Sequence, residues 1–146
     1  MTTTWILVAN ASEAQLYANT GISKGLEKVA AFDHPDSRRK TSDLVSDRPG
    51  HMQSAGNGHG SHQQATDPKR HEHEIFAREI AQHIEQGRTG NQYQRLIVAA
   101  EPHFRGLLNN TFSTQVHSLI SESLGKDYTK VTQKQLAVHL EKFIYL

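Results

Sequence analysis

The sequence predicts an α/β domain, a mixed β-sheet covered by helices. Two uninterrupted apolar runs, Trp5-Ile6-Leu7-Val8-Ala9 and Leu96-Ile97-Val98-Ala99-Ala100, have strand length and read as buried central strands. Two further strand patterns follow the first run with only short turns between them, which makes an antiparallel meander. Beyond mid-chain, apolar residues recur at helical spacing and alternate with strand runs, the order expected of helices packed on a sheet.

Taken in order, Asn10-Ala11-Ser12-Glu13 supplies a turn and Ala14-Gln15-Leu16-Tyr17-Ala18 alternates as a second strand. Asn19-Thr20-Gly21 turns again, and Leu26 to Phe32 offers a third strand. Thr66-Asp67-Pro68 places a capping side chain before a proline and predicts a helix start. Phe76, Ile80 and Ile84 then fall at i, i+4 and i+8, and Gly87 is expected as the C-terminal cap. A short helix is predicted from Pro102 to Leu108, and a strand from Val116 to Leu124. Thr132-Gln133-Lys134-Gln135 has the spacing of a capping box, with Leu136, Leu140 and Phe143 as the stripe of a closing helix. The predicted order is βββ-αβ-αβ-α.

A chain of 146 residues fits one domain over 1–146. It has no cysteine, which excludes disulfides, thiolate metal sites and cysteine nucleophiles. The start, MTTTWILVANASEAQ, has no basic n-region, and its apolar run is too short for a signal peptide or a membrane span. A cytoplasmic protein is expected. Sixteen Lys+Arg against fifteen Asp+Glu leave a net charge of +1, so attraction to a polyanion has to be local.

The segment from Ser46 to Glu74 contains only Met52, Ala55 and Ala65 as apolar side chains, prolines aside. Within it, PGHMQSAGNGHGSHQQ (residues 49–64) holds four of the ten glycines and three of the ten histidines. A long flexible Gly/His-rich loop is expected over about 47–66, and loops of that length are usually either functional or disordered. Gln63 and Gln64, just past the glycines, are its candidates for polar or catalytic contacts. Arg38, Arg39, Lys40, Arg48, Lys69 and Arg70 flank it and are candidates for a phosphate-facing rim, although Asp36, Asp43, Asp47, Asp67 and Glu72 interleave with them.

His51, His59, His62, His71 and His73 crowd the same region, and imidazole is a common ligand for zinc, copper and nickel. His59 and His62 can converge in a loop. His71 and His73 cannot do so on a helix, where i, i+2 positions point about 200° apart. No closed metal motif is present, and no cofactor is implied. A two-metal nuclease needs several carboxylates at strand ends, whereas the first strand ends in Asn10 and the later apolar strand in Glu101. The charge of Glu101 is accounted for by the start of the helix after it.

The chain resembles the bacterial host-attachment protein family, described as required for attachment to host cells. The matching pieces are Trp5-Ile6-Leu7-Val8-Ala9-Asn10 with Ala14 and Tyr17, His34-Pro35, Ser46-Asp47-Arg48-Pro49-Gly50, Phe76-Ala77, Leu96 to Ala100 into Pro102-His103-Phe104, and Gly125-Lys126-Asp127-Tyr128-Thr129. Members often carry Asp where this chain has Asn10. That family is distantly similar to the middle domain of archaeal and eukaryotic peptide-chain release factors, and a meander followed by alternating helices and strands also resembles the ribonuclease H-like topology. In the release factors a meander precedes a glycine loop bearing Gly-Gly-Gln, then a long helix. Gly58-His59-Gly60-Ser61-His62-Gln63-Gln64 has the same placement but no such triplet.

The resemblance implies RNA, most simply on the ribosome, as the partner of a binding domain rather than an enzyme. Arg38, Arg39, Arg48, His59, His62, Lys69 and Arg70 are its candidate contacts. A hydrolase acting through Gln63, or through a metal on His59 and His62, is the enzymatic alternative. An intracellular accessory protein for surface attachment is the third.

Overall fold

The computed structural model describes residues 2–35 and 68–146. Among them, five strands and four helices form an α/β fold around one mixed sheet: β1 (Thr4–Ala9), β2 (Glu13–Asn19), β3 (Glu27–Asp33), α1 (Pro68–Thr89), β4 (Arg95–Ala100), α2 (Pro102–Thr111), α3 (Thr114–Leu119), β5 (Ile120–Leu124) and α4 (Gln133–Leu140). The sheet order is β3-β2-β1-β4-β5. β1 pairs antiparallel with β2 and parallel with β4, β2 antiparallel with β3, and β4 parallel with β5. The meander is therefore present, and the two uninterrupted apolar runs are the two central strands.

Those runs are apolar throughout because both faces of the sheet are covered. Trp5, Leu7 and Ala9 face one core with Phe76, Ala77, Ile80 and Ile84 of α1 and Phe104, Leu107 and Leu108 of α2. Ile6 and Val8 face a smaller core with Ile97, Leu136 and Leu140. The predicted stripe Phe76, Ile80, Ile84 is wholly buried, and Leu136 and Leu140 bury the closing helix. The capping box is formed: Thr132 Oγ1 accepts from Gln135 N, while Thr132 N donates to Gln135 Oε1.

Two expectations are corrected. Gly87 does not cap α1, which continues to Thr89. It lies against the indole of Trp5, so its missing side chain serves packing rather than a turn. Residues Val116 to Leu124 are not one strand. Ser113 caps a short helix by accepting from Val116 N, Val116 turns into the larger core, and only Ile120–Leu124 reaches the sheet. A short apolar run fits either period, and here the cap decides. The element order becomes βββ-αβ-ααβ-α. The helix-start signal Thr66-Asp67 and the loop over 47–66 lie outside the described residues, although Pro68 does open α1.

Candidate functional site

Parallel pairing of β1 with β4 and of β4 with β5 brings three strand carboxyl ends to one edge of the sheet. Ala9 is level with Ala100, and Ala99 with Leu124. Antiparallel β2 starts at the same edge and β3 ends there, because Glu13 is level with Asp33. Asn10, Glu13, Asp33, Glu101 and the connection after Leu124 thus share one rim. Ligands of α/β domains bind outside the carboxyl ends of parallel strands, where backbone groups and helix starts converge. This rim is the candidate site.

Asn10 organises its middle. Its Oδ1 accepts from the backbone of Ser12 at 2.8 Å and Glu13 at 3.0 Å, which fixes the turn into β2. Its Nδ2 donates across the rim to Asp127 Oδ2 at 3.0 Å and Thr129 Oγ1 at 3.1 Å. Asp127 Oδ1 in turn accepts from Thr129 N at 2.9 Å and Thr129 Oγ1 at 2.6 Å. Lys130 Nζ meets Glu13 Oε2 at 3.1 Å. Partial burial opposes the charge on Asp127, but the hydrogen bonds from Thr129 and Asn10, with Lys130 close by, outweigh it and hold its carboxyl below the usual range. An asparagine suits this place because it donates to the carboxylate while accepting from the turn. An aspartate there would set two carboxylates against each other.

Beside this cluster, Glu101 Oε1 accepts from His103 N at 2.9 Å and Oε2 from Phe104 N at 3.0 Å. Both oxygens cap α2, the role its sequence context gives it. The His103 ring lies edge-on to that of His73 on α1. Among the described residues, no group of three His, Asp or Glu side chains converges as a metal site.

At the far side of the rim, His34 Nε2 lies 3.1 Å from Glu72 Oε1, both nearly buried, and the imidazole stacks on Phe76. His34 N also donates to Ser12 O. His34-Pro35 is where the described chain stops before residues 36–67, and Pro68 is where it resumes. Glu72 ties His34, at the end of the meander, to the first turns of α1. Pro35 and Pro68, the described residues on either side of 36–67, therefore stand on the carboxyl rim.

Of the sequence-predicted contacts, Lys69 and Arg70 are brought to this place, on the first turn of α1. Lys69 is half-buried, and Arg70 is exposed and paired with Glu74 at 3.1 Å. Arg38, Arg39, Arg48, His59, His62, Gln63 and Gln64 lie outside the described residues. Sequence reasoning missed Glu72 and Asp127. For Glu72 the signal was present: it stands four residues before Phe76, so it extends the buried stripe back by one turn, where a carboxylate requires a partner. Asp127 stands within the family piece Gly125 to Thr129, but nothing local points to its partner, since Asn10 is 117 residues away.

The family described as "Protein required for attachment to host cells" matches residues 5–140, from the first strand to the end of the last helix. This chain belongs to that family. The match spans every strand and the whole rim, so the clasp around Asn10 and the two stems of the 36–67 segment are features of this host-attachment protein's matched body. No curated protein matches it. No helix among its described residues is long and apolar enough to cross a membrane.

Proposed function

We propose that this host-attachment family member is a single RNA-binding domain over residues 1–146, acting in the cytoplasm, and that it engages structured RNA, on the ribosome in the simplest case. The contacts would come from the segment over about 47–66 with Arg38, Arg39, Arg48, His59, His62, Lys69 and Arg70. One observation carries this reading: the residues on either side of that stretch, His34-Pro35 and Pro68, stand on the carboxyl rim, where α/β domains bind their ligands. The sheet order agrees with the likeness to the release-factor middle domain and the ribonuclease H-like topology, and in the release factors a loop of the same placement is the one that faces RNA. Lys69 and Arg70 add positive charge at the foot of the segment. The attachment role in the family's description is then exerted indirectly, from inside the cell.

The test is fluorescence anisotropy with a structured RNA over a range of salt. Binding should weaken steeply as salt rises, and the slope should flatten when Arg38, Arg39, Lys69 and Arg70 are neutralised together. If no RNA binds at low salt anywhere between pH 6 and 8, the proposal fails.

A further inference from the structure

The opposite edge of the sheet, at the amino ends of β1 and β4, holds a cavity of about 470 Å³. That volume falls within the ordinary range for small-molecule sites, roughly 300 to 1,000 Å³. Its lining includes Thr4, Asn19, Ile22, Arg95, Phe143 and Tyr145. Ile22 and Tyr145 are 73% and 77% exposed, large apolar side chains held at the mouth with nothing of the described chain over them. Asn19, Ile22 and Arg95 lie within the stretch the family matches, while Thr4, Phe143 and Tyr145 lie outside it.

Arg95 gives the cavity its chemistry. Its Nε donates to Ser121 Oγ at 2.7 Å and its Nη2 to Phe143 O at 3.0 Å. A guanidinium offers five N–H donors and no acceptor, and these two bonds fix its plane while Nη1 has no acceptor among the described residues. No Asp or Glu lies among the lining residues described. Asn19 is uncharged and its side chain is already used: Nδ2 donates to Gly25 O at 2.8 Å and Oδ1 accepts from Gly21 N at 3.2 Å. The result is a pre-oriented positive donor in a wall that is largely apolar. A buried or half-buried guanidinium is best satisfied by a carboxylate, whose oxygens match its fork.

We infer that this cavity binds a small organic carboxylate, its charged end on Arg95 and an aromatic or branched aliphatic body between Ile22, Phe143 and Tyr145. Thr2, Thr4 and Thr20 also line the cavity. The site is separate from the carboxyl rim and does not depend on RNA binding there.

The experiment titrates the full chain with 3-phenylpropionate and, separately, with its neutral counterpart 3-phenylpropanamide, followed by ¹H–¹⁵N correlation spectra. The acid should move the amide signals of Gly21, Ile22, Arg95 and Tyr145 together, and the amide should bind about tenfold more weakly, as expected for losing a charged hydrogen bond. Arg95→Gln should remove the preference for the acid. Because Arg95 also braces Phe143, Ile22→Glu provides a second variant: at 73% exposed it is expected to fold, and it should weaken the acid by repulsion and lost contact but the amide only by the lost apolar contact, so that the acid suffers the larger fold-change. Equal affinity for acid and amide, signals moving elsewhere in the molecule, or an unchanged acid affinity in Ile22→Glu would each overturn the assignment.

Discussion

At the scale of single residues, Gly87 shows how packing can reverse a local preference. An alanine in a helix interior is ordinarily favoured over glycine by about 1 kcal/mol. At this position an added Cβ would land within the Trp5 ring, which is itself stacked on Tyr93 at 4.6 Å and buried. Gly87→Ala should therefore destabilise the fold by about 1–3 kcal/mol, the usual cost of overpacking. Urea midpoints check this, and in a Trp5→Leu background the same substitution should become neutral or stabilising. Asp127 gives a second residue-scale expectation. Its carboxyl is held below the usual range, so its share of the stability is complete above the unfolded carboxylate value near 3.9 and disappears as pH falls through the lower folded value. The gap between wild type and Asp127→Asn in denaturant midpoint should be open at pH 7 and narrow as pH falls below the unfolded carboxylate value. A gap that stays constant would mean that the interactions around Asn10 do not depend on the charge.

At the scale of elements, the helices divide by how much of their reason lies close in sequence. The stripe of α1 was legible because Phe76, Ile80 and Ile84 repeat at one turn, and the cap of α4 because Thr132 and Gln135 have the reciprocal spacing. Ile80→Ala should cost about 2–5 kcal/mol, measured by chemical denaturation. A cost no larger than that of a surface substitution would contradict its complete burial. The division between α3 and β5 was not legible, since Val116, Leu119 and Ile120 suit a helix and a strand equally well. Ser113 settles it through one hydrogen bond to Val116 N. Ser113→Ala should remove about 0.5–2 kcal/mol, with the loss seen as faster amide exchange through Thr114–Leu119.

At the scale of the whole molecule, the meander, both central strands and the two-sided core could be read from apolar patterning, because the sheet buries both faces. The candidate site could be read only in part. Asn10 was noticed as a strand-end residue, but its partners Asp127 and Thr129 come from the other end of the chain, and only the folded sheet places them together. The same holds for the cavity at Arg95, whose brace is Phe143. The alkaline limit of stability is also a property of the assembled core. Burial pushes the Tyr93 hydroxyl up to about 12, with Glu85 adding to the effect and Arg88 opposing it, and burial raises Tyr17 as well. A raised phenol stabilises the fold fully below the unfolded value near 10 and loses that contribution as pH rises toward the folded one. The wild-type midpoint should therefore fall between about pH 10 and 12, and Tyr93→Phe should blunt that fall.

The parallel pairing of β1 with β4 also sets a timetable for synthesis. Thr3 and Gln94, bonded at the start of these two strands, are 91 residues apart in sequence. On the ribosome, β1 can pair early with β2, but its other edge stays open until β4 has emerged. At ordinary elongation speeds of about 5–20 residues per second, that wait is on the order of ten seconds. For that interval Trp5 to Ala9 is an apolar strand with one unpaired edge, the kind of segment that nascent-chain chaperones cover and that aggregates when they do not.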